Sequence, residues 1–232
     1  MSNLIGVASD FFGSAATLIG DAALCNAAAL GKLIDICIET KNIGEVIFLY
    51  KLDRFFKGTN FTESERTKLC ANLVEYGDKE DSAMRIVNCI EKAASNKIVD
   101  YLVNATRCMV MNFITVEEYF RICNALVNTI EEDLKFLQKH IGEDKEYEYS
   151  VYTSGLSISG LVHQSNITFN GKISYKFTYL AHIVDQFALS YGDDTRYPNP
   201  KKRTYSDEGL TTNIDPKIDL ATKEDIHKMF KE

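Results

Sequence analysis

Cysteine and histidine are the residues of this sequence that could do the most chemistry, because a thiolate or an imidazole can act as a nucleophile, a base or a metal ligand. The residues are Cys25, Cys37, Cys70, Cys89, Cys108 and Cys123, with His140, His163, His182 and His227. None of the cysteines forms a CxxC pair and the histidines lie far apart, whereas zinc sites generally combine two close ligand pairs. The spacing therefore predicts no metal site and indicates no other cofactor.

A nucleophilic dyad is the next possibility that these side chains raise. Cys108 or Cys123 could pair with a histidine, but both lie in helical apolar patterns, where a buried thiol is usually inert. His163 and His182 flank a predicted hairpin and could approach each other, although a structural role is more common for histidine. Since GxSxG, HExxH and glycine-rich phosphate-loop motifs are also missing, we predict a non-catalytic protein, with no catalytic residue assigned. An enzyme without a sequence signature is the alternative.

Charge and composition narrow the class of protein further. The 232 residues carry a formal charge of −7, which argues against a general nucleic-acid binder, because such a protein needs a positive surface. The first Lys or Arg is Lys32, so the positive region of a secretory signal is missing. Unpaired cysteines are typical of a protein in a reducing compartment. We expect a cytoplasmic protein, with peripheral membrane association as an alternative.

Residues 42–142 show the periodicity of a multi-helix bundle. Apolar residues recur at three- and four-residue steps, and two capping boxes, Thr62 with Glu65 and Thr115 with Glu118, mark helix starts. Gly58 and Gly77 are predicted to end the first two helices. The expected helices cover about residues 43–58, 62–77, 79–94, 95–113 and 115–142. Short connections make neighbouring helices antiparallel, so the predicted fold class is mainly α, with one C-terminal β-hairpin.

This hundred-residue stretch, with its repeated capped helices after short turns, loosely resembles small acidic helical bundles of the tellurite-resistance TerB-like kind. The resemblance implies a helical bundle. The Asp-Gly metal-binding turn of that family is absent, because Tyr76-Gly77-Asp78 has the reverse order. No functional residue is therefore transferred from that family to this chain.

Residues 1–41 form a Gly/Ala-rich amphipathic segment. Three glycines recur every seven residues beside an apolar arc, which predicts a helix with a smooth flank for close packing. The glycines are Gly6, Gly13 and Gly20, and the apolar arc includes Phe11, Phe12 and Leu18. A bilayer span would need about 20 mostly apolar residues and would bury Asp10 and Asp21. The open alternatives are packing on the bundle, self-association, membrane insertion and disorder.

Residues 143–192 are predicted to form a helix, a hairpin and a second helix. Asn170-Gly171 between alternating runs is the strongest short hairpin signal, because both turn positions favour positive φ. The order of elements resembles a winged-helix module, whose hairpin is the wing. That resemblance implies DNA binding, but the helix before the hairpin is preceded by acidic residues and carries no base-reading cation. Lys172 and Lys176 on the hairpin are the cations that could contact a partner.

Residues 193–232 have the composition of a flexible tail. They mix charges, Pro, Asn and Thr without periodicity, and a short amphipathic helix is predicted at residues 222–231. Its apolar side holds Ile226, Met229 and Phe230, which could dock on the same chain or on another protein.

These features favour a non-catalytic interaction or regulatory protein that associates with itself. The amino-acid composition and the order of the predicted elements resemble those of small helical proteins of low-GC bacteria and their phages, including phage-defence and counter-defence components. The alternatives are a membrane-acting effector that uses residues 1–41 and a winged-helix DNA-binding regulator. We expect a protein partner, including a second copy of the chain; nucleic acid is not favoured, and no small-molecule substrate is indicated.

Overall fold

The computed structural model describes residues 43–77, 79–143, 145–167, 171–193 and 195–197, which are mostly helical. This confirms the predicted fold class. The helices are α1 (Ile43–Thr59), α2 (Glu63–Tyr76), α3 (Lys79–Lys92), α4 (Asn96–Val110), α5 (Val116–Val127), α6 (Glu131–His140), α7 (Val151–Ile158) and α8 (Tyr179–Val184), and a π-helical segment (Asp185–Leu189) continues α8. The strands are β1 (Tyr147–Glu148), β2 (Val162–Ile167) and β3 (Ile173–Phe177).

Both predicted capping boxes are present. The backbone N–H of Thr62 donates to Oε2 of Glu65 at 2.8 Å, and that of Thr115 donates to Oε2 of Glu118 at the same distance. Each threonine hydroxyl in turn accepts from the glutamate N–H. These reciprocal bonds satisfy backbone donors that have no partner inside the helix, and they fix the starts of α2 and α5.

The single long helix predicted for residues 115–142 is wrong, because the chain breaks between α5 and α6. The side chain of Asn128 donates to the Asn124 carbonyl at 2.8 Å, and the hydroxyl of Thr129 donates to the Ala125 carbonyl at 2.7 Å. The Thr129 hydroxyl thus occupies the Ala125 carbonyl, which the backbone N–H of Thr129 would use in a continuing helix. Three acidic residues in the first turn of α6 then favour a new helix start.

The sequence predicted that Gly58 ends the first helix. This prediction is wrong, because α1 continues through Thr59. The left-handed residue that follows is Asn60, with φ of 39°. A Cβ atom at Gly58 would lie 2.9 Å from a methyl carbon of Val103 in α4. The glycine therefore permits the close approach of α1 and α4.

Helix α4 lies at the centre of the described helices. Ten of its 15 residues are buried, and it contacts α1, α2, α5 and the π-helical segment. The Asn104 side chain donates to the Ala188 carbonyl at 2.9 Å, and the Cys108 thiol lies 3.7 Å from the Phe187 carbonyl oxygen. One continuous apolar core thus joins the helical bundle to the segment after the hairpin.

The predicted hairpin is confirmed. Strands β2 and β3 pair antiparallel, with Val162 opposite Phe177 and Ile167 opposite Ile173. A register shift between Gln164 and Asn166 marks a β-bulge. Strand β1 pairs with the other side of β3, so the order is β1-β3-β2 and β2 is at an edge.

A buried carboxylate binds several side chains in the C-terminal part of the described chain. Asp185 is fully buried in the π-helical segment, and it accepts hydrogen bonds from Tyr197 Oη at 2.7 Å and Ser190 Oγ at 2.9 Å. Arg196 Nε lies 3.3 Å away. Burial raises the pKa of Asp185, while Tyr197 and Arg196 act in the opposite direction. These donors therefore compensate a charge that would otherwise be costly to bury.

We expect Tyr197→Phe to lower the free energy of unfolding by about 1–3 kcal/mol at neutral pH, because it leaves the buried Asp185 carboxylate with one donor fewer. The pKa of Asp185 is raised on folding, so its ionisation opposes folding as the pH rises. The loss should consequently shrink at acidic pH, where both proteins hold the carboxyl protonated. Urea unfolding at neutral and acidic pH measures this. Tyr50→Phe, at a half-exposed tyrosine, is the control, and equal effects of the two substitutions would contradict the assignment.

Candidate protein-interaction surface

The outward side of α7 is apolar and exposed. Val151 and Ile158 are seven residues apart and therefore lie on one line of the helix, where they are 78% and 82% exposed. Tyr149 precedes the helix at 67% exposure, and Tyr152 in its first turn is 44% exposed. We call these four residues the α7 surface. Grouped large apolar side chains in water are typical of sites that bind another macromolecule.

The chain around the α7 surface carries no formal charge. Residues 149–171 contain no Asp, Glu, Lys or Arg, and this stretch includes α7 and all of β2. Acidic residues dominate just before it, where Glu143, Glu146 and Glu148 occur within six positions. Charged residues are depleted at the centre of protein interfaces, and tyrosine is enriched there, so the composition of the α7 surface is that of an interface core.

Local hydrogen bonds fix both ends of α7. At its start the N–H of Ser150 donates to the Thr153 hydroxyl at 2.7 Å, and the N–H of Thr153 donates back to the Ser150 hydroxyl at 3.1 Å. At its end Gly160 takes a left-handed φ of 72°, which lets the N–H of Leu161 return to the Leu156 carbonyl at 2.8 Å. The eight-residue helix is therefore terminated on both sides by its own sequence.

Close packing on α6 sets the position of α7. A Cβ atom at Gly155 would overlap the carboxylate of Asp133, so only glycine permits this approach. Asp133 is 3% exposed, its Oδ1 has no hydrogen-bond partner, and burial raises its pKa. Nearby, the Ser159 hydroxyl donates to the Thr129 hydroxyl at 2.6 Å, because the Thr129 hydrogen is used by the Ala125 carbonyl. Helix α7 thus packs closely on α6 at Gly155 and buries Leu156 in the core, whereas Val151 and Ile158 face outward.

The Tyr152 ring packs on a cluster of aromatic residues. The rings of Tyr152 and Phe136 stack with centroids 5.0 Å apart and planes 3° from parallel. Phe136 also contacts His140 and Tyr147, and Tyr147 contacts Phe177 of β3. The Tyr147 hydroxyl donates to the His140 carbonyl at 3.0 Å. A tyrosine held this way presents a rigid contact area, and its conformational freedom is already reduced before binding.

The edge of the sheet adjoins α7 and is also uncharged. The side chains of His163, Gln164, Asn166 and Ile167 in β2 are exposed, and β2 pairs on one side only within the described residues. Natural edge strands are commonly protected from pairing by charges, prolines or bulges. The bulge near Ser165 is the one such feature of β2, which leaves residues 162–164 as a short regular edge.

The hairpin lysines that the sequence singled out have partners on the β1 side of the sheet. Lys172 Nζ lies 3.2 Å from Glu148 Oε1, and Lys176 Nζ lies 3.7 Å from Glu146 Oε1. Gly171 takes the left-handed φ of 75° expected of a turn residue, whereas Asn170 lies outside the described residues. Phosphate would compete with these carboxylates for the two cations, so the hairpin offers little free positive charge to DNA.

The other predicted contact residues fall outside the described ranges. The N-terminal set comprises Gly6, Gly13, Gly20, Phe11, Phe12 and Leu18, and the tail set comprises Ile226, Met229 and Phe230. Both sets stay predictions. No helix of the described residues is long and apolar enough to cross a membrane.

The residues considered for a thiol–histidine dyad lie in different surroundings. Cys108 and Cys123 are fully buried, and burial raises the pKa of each thiol. His163 is exposed on β2, whereas His182 lies on α8, where burial lowers its pKa. Within the described part of the chain no cluster of three or more His, Cys, Asp or Glu side chains is placed to hold a metal ion.

Comparison with protein-family models, with curated proteins and with solved structures found no match to this chain. The resemblances to TerB-like bundles and to winged-helix modules therefore stay predictions.

The α7 surface was not predicted from the sequence. A helix was predicted before the hairpin, but the outward residues Val151 and Ile158 were not singled out. Two signals were available: the seven-residue spacing of these β-branched residues, and the 23 uncharged residues from 149 to 171. In a chain in which a quarter of the residues are charged, such a run is unusual.

Proposed function

We propose that this protein is a non-catalytic interaction protein that assembles with copies of itself through the α7 surface. The observation that carries the proposal is the exposure of Val151 and Ile158 in a stretch without formal charge. Burying an apolar side chain of this size on association contributes about 1.5–3 kcal/mol before the costs of ordering. The free thiols among the described residues support a cytoplasmic location.

Charge favours a second copy as the occupant of this surface. Each chain carries a formal charge of −7, so two copies repel each other over most orientations. The uncharged stretch brings no like charges together, and an apolar face is complementary to itself. In a two-fold contact the same patch meets its own copy, so Ile158 would be buried twice in each dimer.

The edge strand supports the same occupant. Two copies related by a two-fold axis can place their β2 strands antiparallel, which would extend the sheet through backbone hydrogen bonds. Because β2 lacks charged side chains, such pairing meets no electrostatic penalty on this edge. The α7 surface would supply the apolar contacts, and β2 would supply the backbone hydrogen bonds.

The test is the mass of the full chain in solution, measured by sedimentation equilibrium over a range of concentrations and ionic strengths. We expect a concentration-dependent species at a multiple of 26.2 kDa that persists or strengthens as salt screens the repulsion between acidic copies. A monomer at every concentration would overturn the proposal. An assembly that dissociates with added salt would also contradict it, because that behaviour indicates contacts between opposite charges.

A further inference from the structure

The carboxyl group of Asp133 lies between α6 and α7 without a compensating partner. Asp133 is 3% exposed, and its Oδ1 has no hydrogen-bond partner. The other oxygen, Oδ2, lies so close to Gly155 of α7 that a Cβ atom there would overlap it. An ionised carboxylate in this position has exchanged water for an aliphatic contact, which is costly.

The charges on α6 and α4 do not offset this cost. Lys135 of α6 pairs with Glu131 at 2.9 Å, and Lys97 of α4 also acts on Glu131. The pKa of Asp133 is raised, first by burial and then by the charge of Glu132 beside it. The N-terminal turn of α6 favours negative charge, but Glu131 and Glu132 already supply such charge from more exposed positions.

The other elements that pack on α6 do not supply a cation to Asp133 either. Helix α7 has no charged residue, and its one titratable side chain, that of Tyr152, stacks on Phe136. The π-helical segment carries Asp185, whose Oδ2 lies 3.3 Å from Nε of Arg196. Among the described residues, the surroundings of Asp133 therefore favour the neutral, protonated carboxyl over the carboxylate.

Helix α7 is short and is anchored by few buried side chains. Of its eight residues, Thr153 and Leu156 are buried, whereas Val151 and Ile158 are largely exposed. Elements with few buried apolar contacts open locally at a small cost in free energy. Movement of α7 away from α6 would return the Asp133 carboxyl to water, so the protonation of Asp133 and the position of α7 are linked.

We propose that Asp133 is a pH-dependent switch that determines how firmly α7 docks on α6. The protonated carboxyl favours the docked helix, and the ionised carboxylate favours its release. Because the docked state has the raised pKa, the docked population falls as the pH rises above the ordinary Asp value of about 3.9. A released α7 does not present its outward residues in a fixed arrangement. The consequence that acidic pH favours assembly rests on the proposed function of the α7 surface.

The experiment is hydrogen exchange of the full chain at a concentration at which sedimentation shows single chains. Exchange of the amides of residues 154–158 is measured between about pH 5 and pH 8 and divided by the free-peptide rate at each pH. We expect the protection of these amides to fall as the pH rises. In Asp133→Asn, which keeps the shape and removes the charge, protection should be independent of pH and about fivefold or more higher at neutral pH.

Glu132→Gln is the matched control, because it removes one charge from the same turn of α6 and leaves Asp133 in place. We expect the pH dependence of α7 protection to persist in this variant. The proposal is overturned if protection of α7 in the unaltered chain does not change with pH, or if Glu132→Gln abolishes the change as fully as Asp133→Asn does.

The amides of α4 provide an internal reference within the unaltered chain. A parallel loss of protection in α4 and α7 would indicate unfolding of the whole bundle, and it would also overturn the proposal. This comparison still decides if Asp133→Asn fails to fold. Since the measurement uses single chains, a pH-dependent α7 in a chain that never assembles would contradict the proposed self-association and leave the switch standing.

Discussion

Replacing Ile158 by Asp is expected to convert the proposed assembly of this protein into monomers. Ile158 is 82% exposed in the single chain, so the substitution should change the free energy of unfolding by no more than about 0.5 kcal/mol. In a two-fold contact it would place two carboxylates in the apolar centre of the interface. Loss of a central anchor costs at least about 2 kcal/mol, so the dissociation constant should rise by roughly 30-fold or more.

The matched control for this substitution is Val74→Asp. Val74 is a large apolar residue of α2 with 57% exposure. Its replacement by Asp adds the same charge to the chain at a site away from α7. Sedimentation equilibrium of the two variants separates a local effect from a general increase in negative charge. Equal weakening by both would show that charge, and not the α7 surface, controls assembly. An unchanged mass for Ile158→Asp would move the contact elsewhere, with residues 1–41 as the first region to examine.

A substitution at Gly155 is expected to have the second large effect, on stability. Alanine is about 1 kcal/mol more favourable than glycine inside a helix, so Gly155→Ala in an open position would stabilise α7. Here the added methyl group would overlap the buried Asp133 carboxylate. Overpacking of this kind costs typically 1–3 kcal/mol, so we expect the free energy of unfolding to fall by about 1–2 kcal/mol.

A double-mutant cycle tests whether Asp133 is the residue that the added methyl group meets. Asp133→Ala removes the carboxylate, so the alanine at position 155 should then be tolerated and its helix propensity should become visible as a gain in stability. We expect a coupling free energy of about 1–3 kcal/mol from urea unfolding of the four proteins. Gly142→Ala is the control, because a Cβ atom there would have no neighbour within 4 Å. Additive effects at positions 133 and 155 would contradict the contact.

Local signals in the sequence predicted much of the fold. The capping boxes at Thr62 and Thr115 depend on residues three apart, and the hairpin depends on a short alternating run, so each is encoded in one window of the chain. The break between α5 and α6 was missed because the apolar periodicity continues across it. The Thr129 hydroxyl takes the Ala125 carbonyl where α5 ends, and periodicity alone does not register this bond.

Contacts between distant parts of the chain could not be predicted in the same way. Asn104 and Ala188, whose side chain and carbonyl are hydrogen-bonded, are 84 positions apart, and neither residue carries a local pattern that indicates the other. The close approach of Asp133 to Gly155 depends on how α6 and α7 pack after the break. The α7 surface was accessible from the sequence in principle, because an uncharged run and a seven-residue spacing need no knowledge of the fold.

Hydrogen exchange of α7 as a function of protein concentration tests self-association through the α7 surface. The first N–H groups of α7, those of Val151 and Tyr152, have no acceptor within the helix, so in a single chain they should exchange at close to the rate of a free peptide. We expect exchange at residues 149–158 to slow markedly when the full chain is concentrated into the proposed assembled state. Unchanged exchange there, together with new protection in another part of the chain, would contradict it.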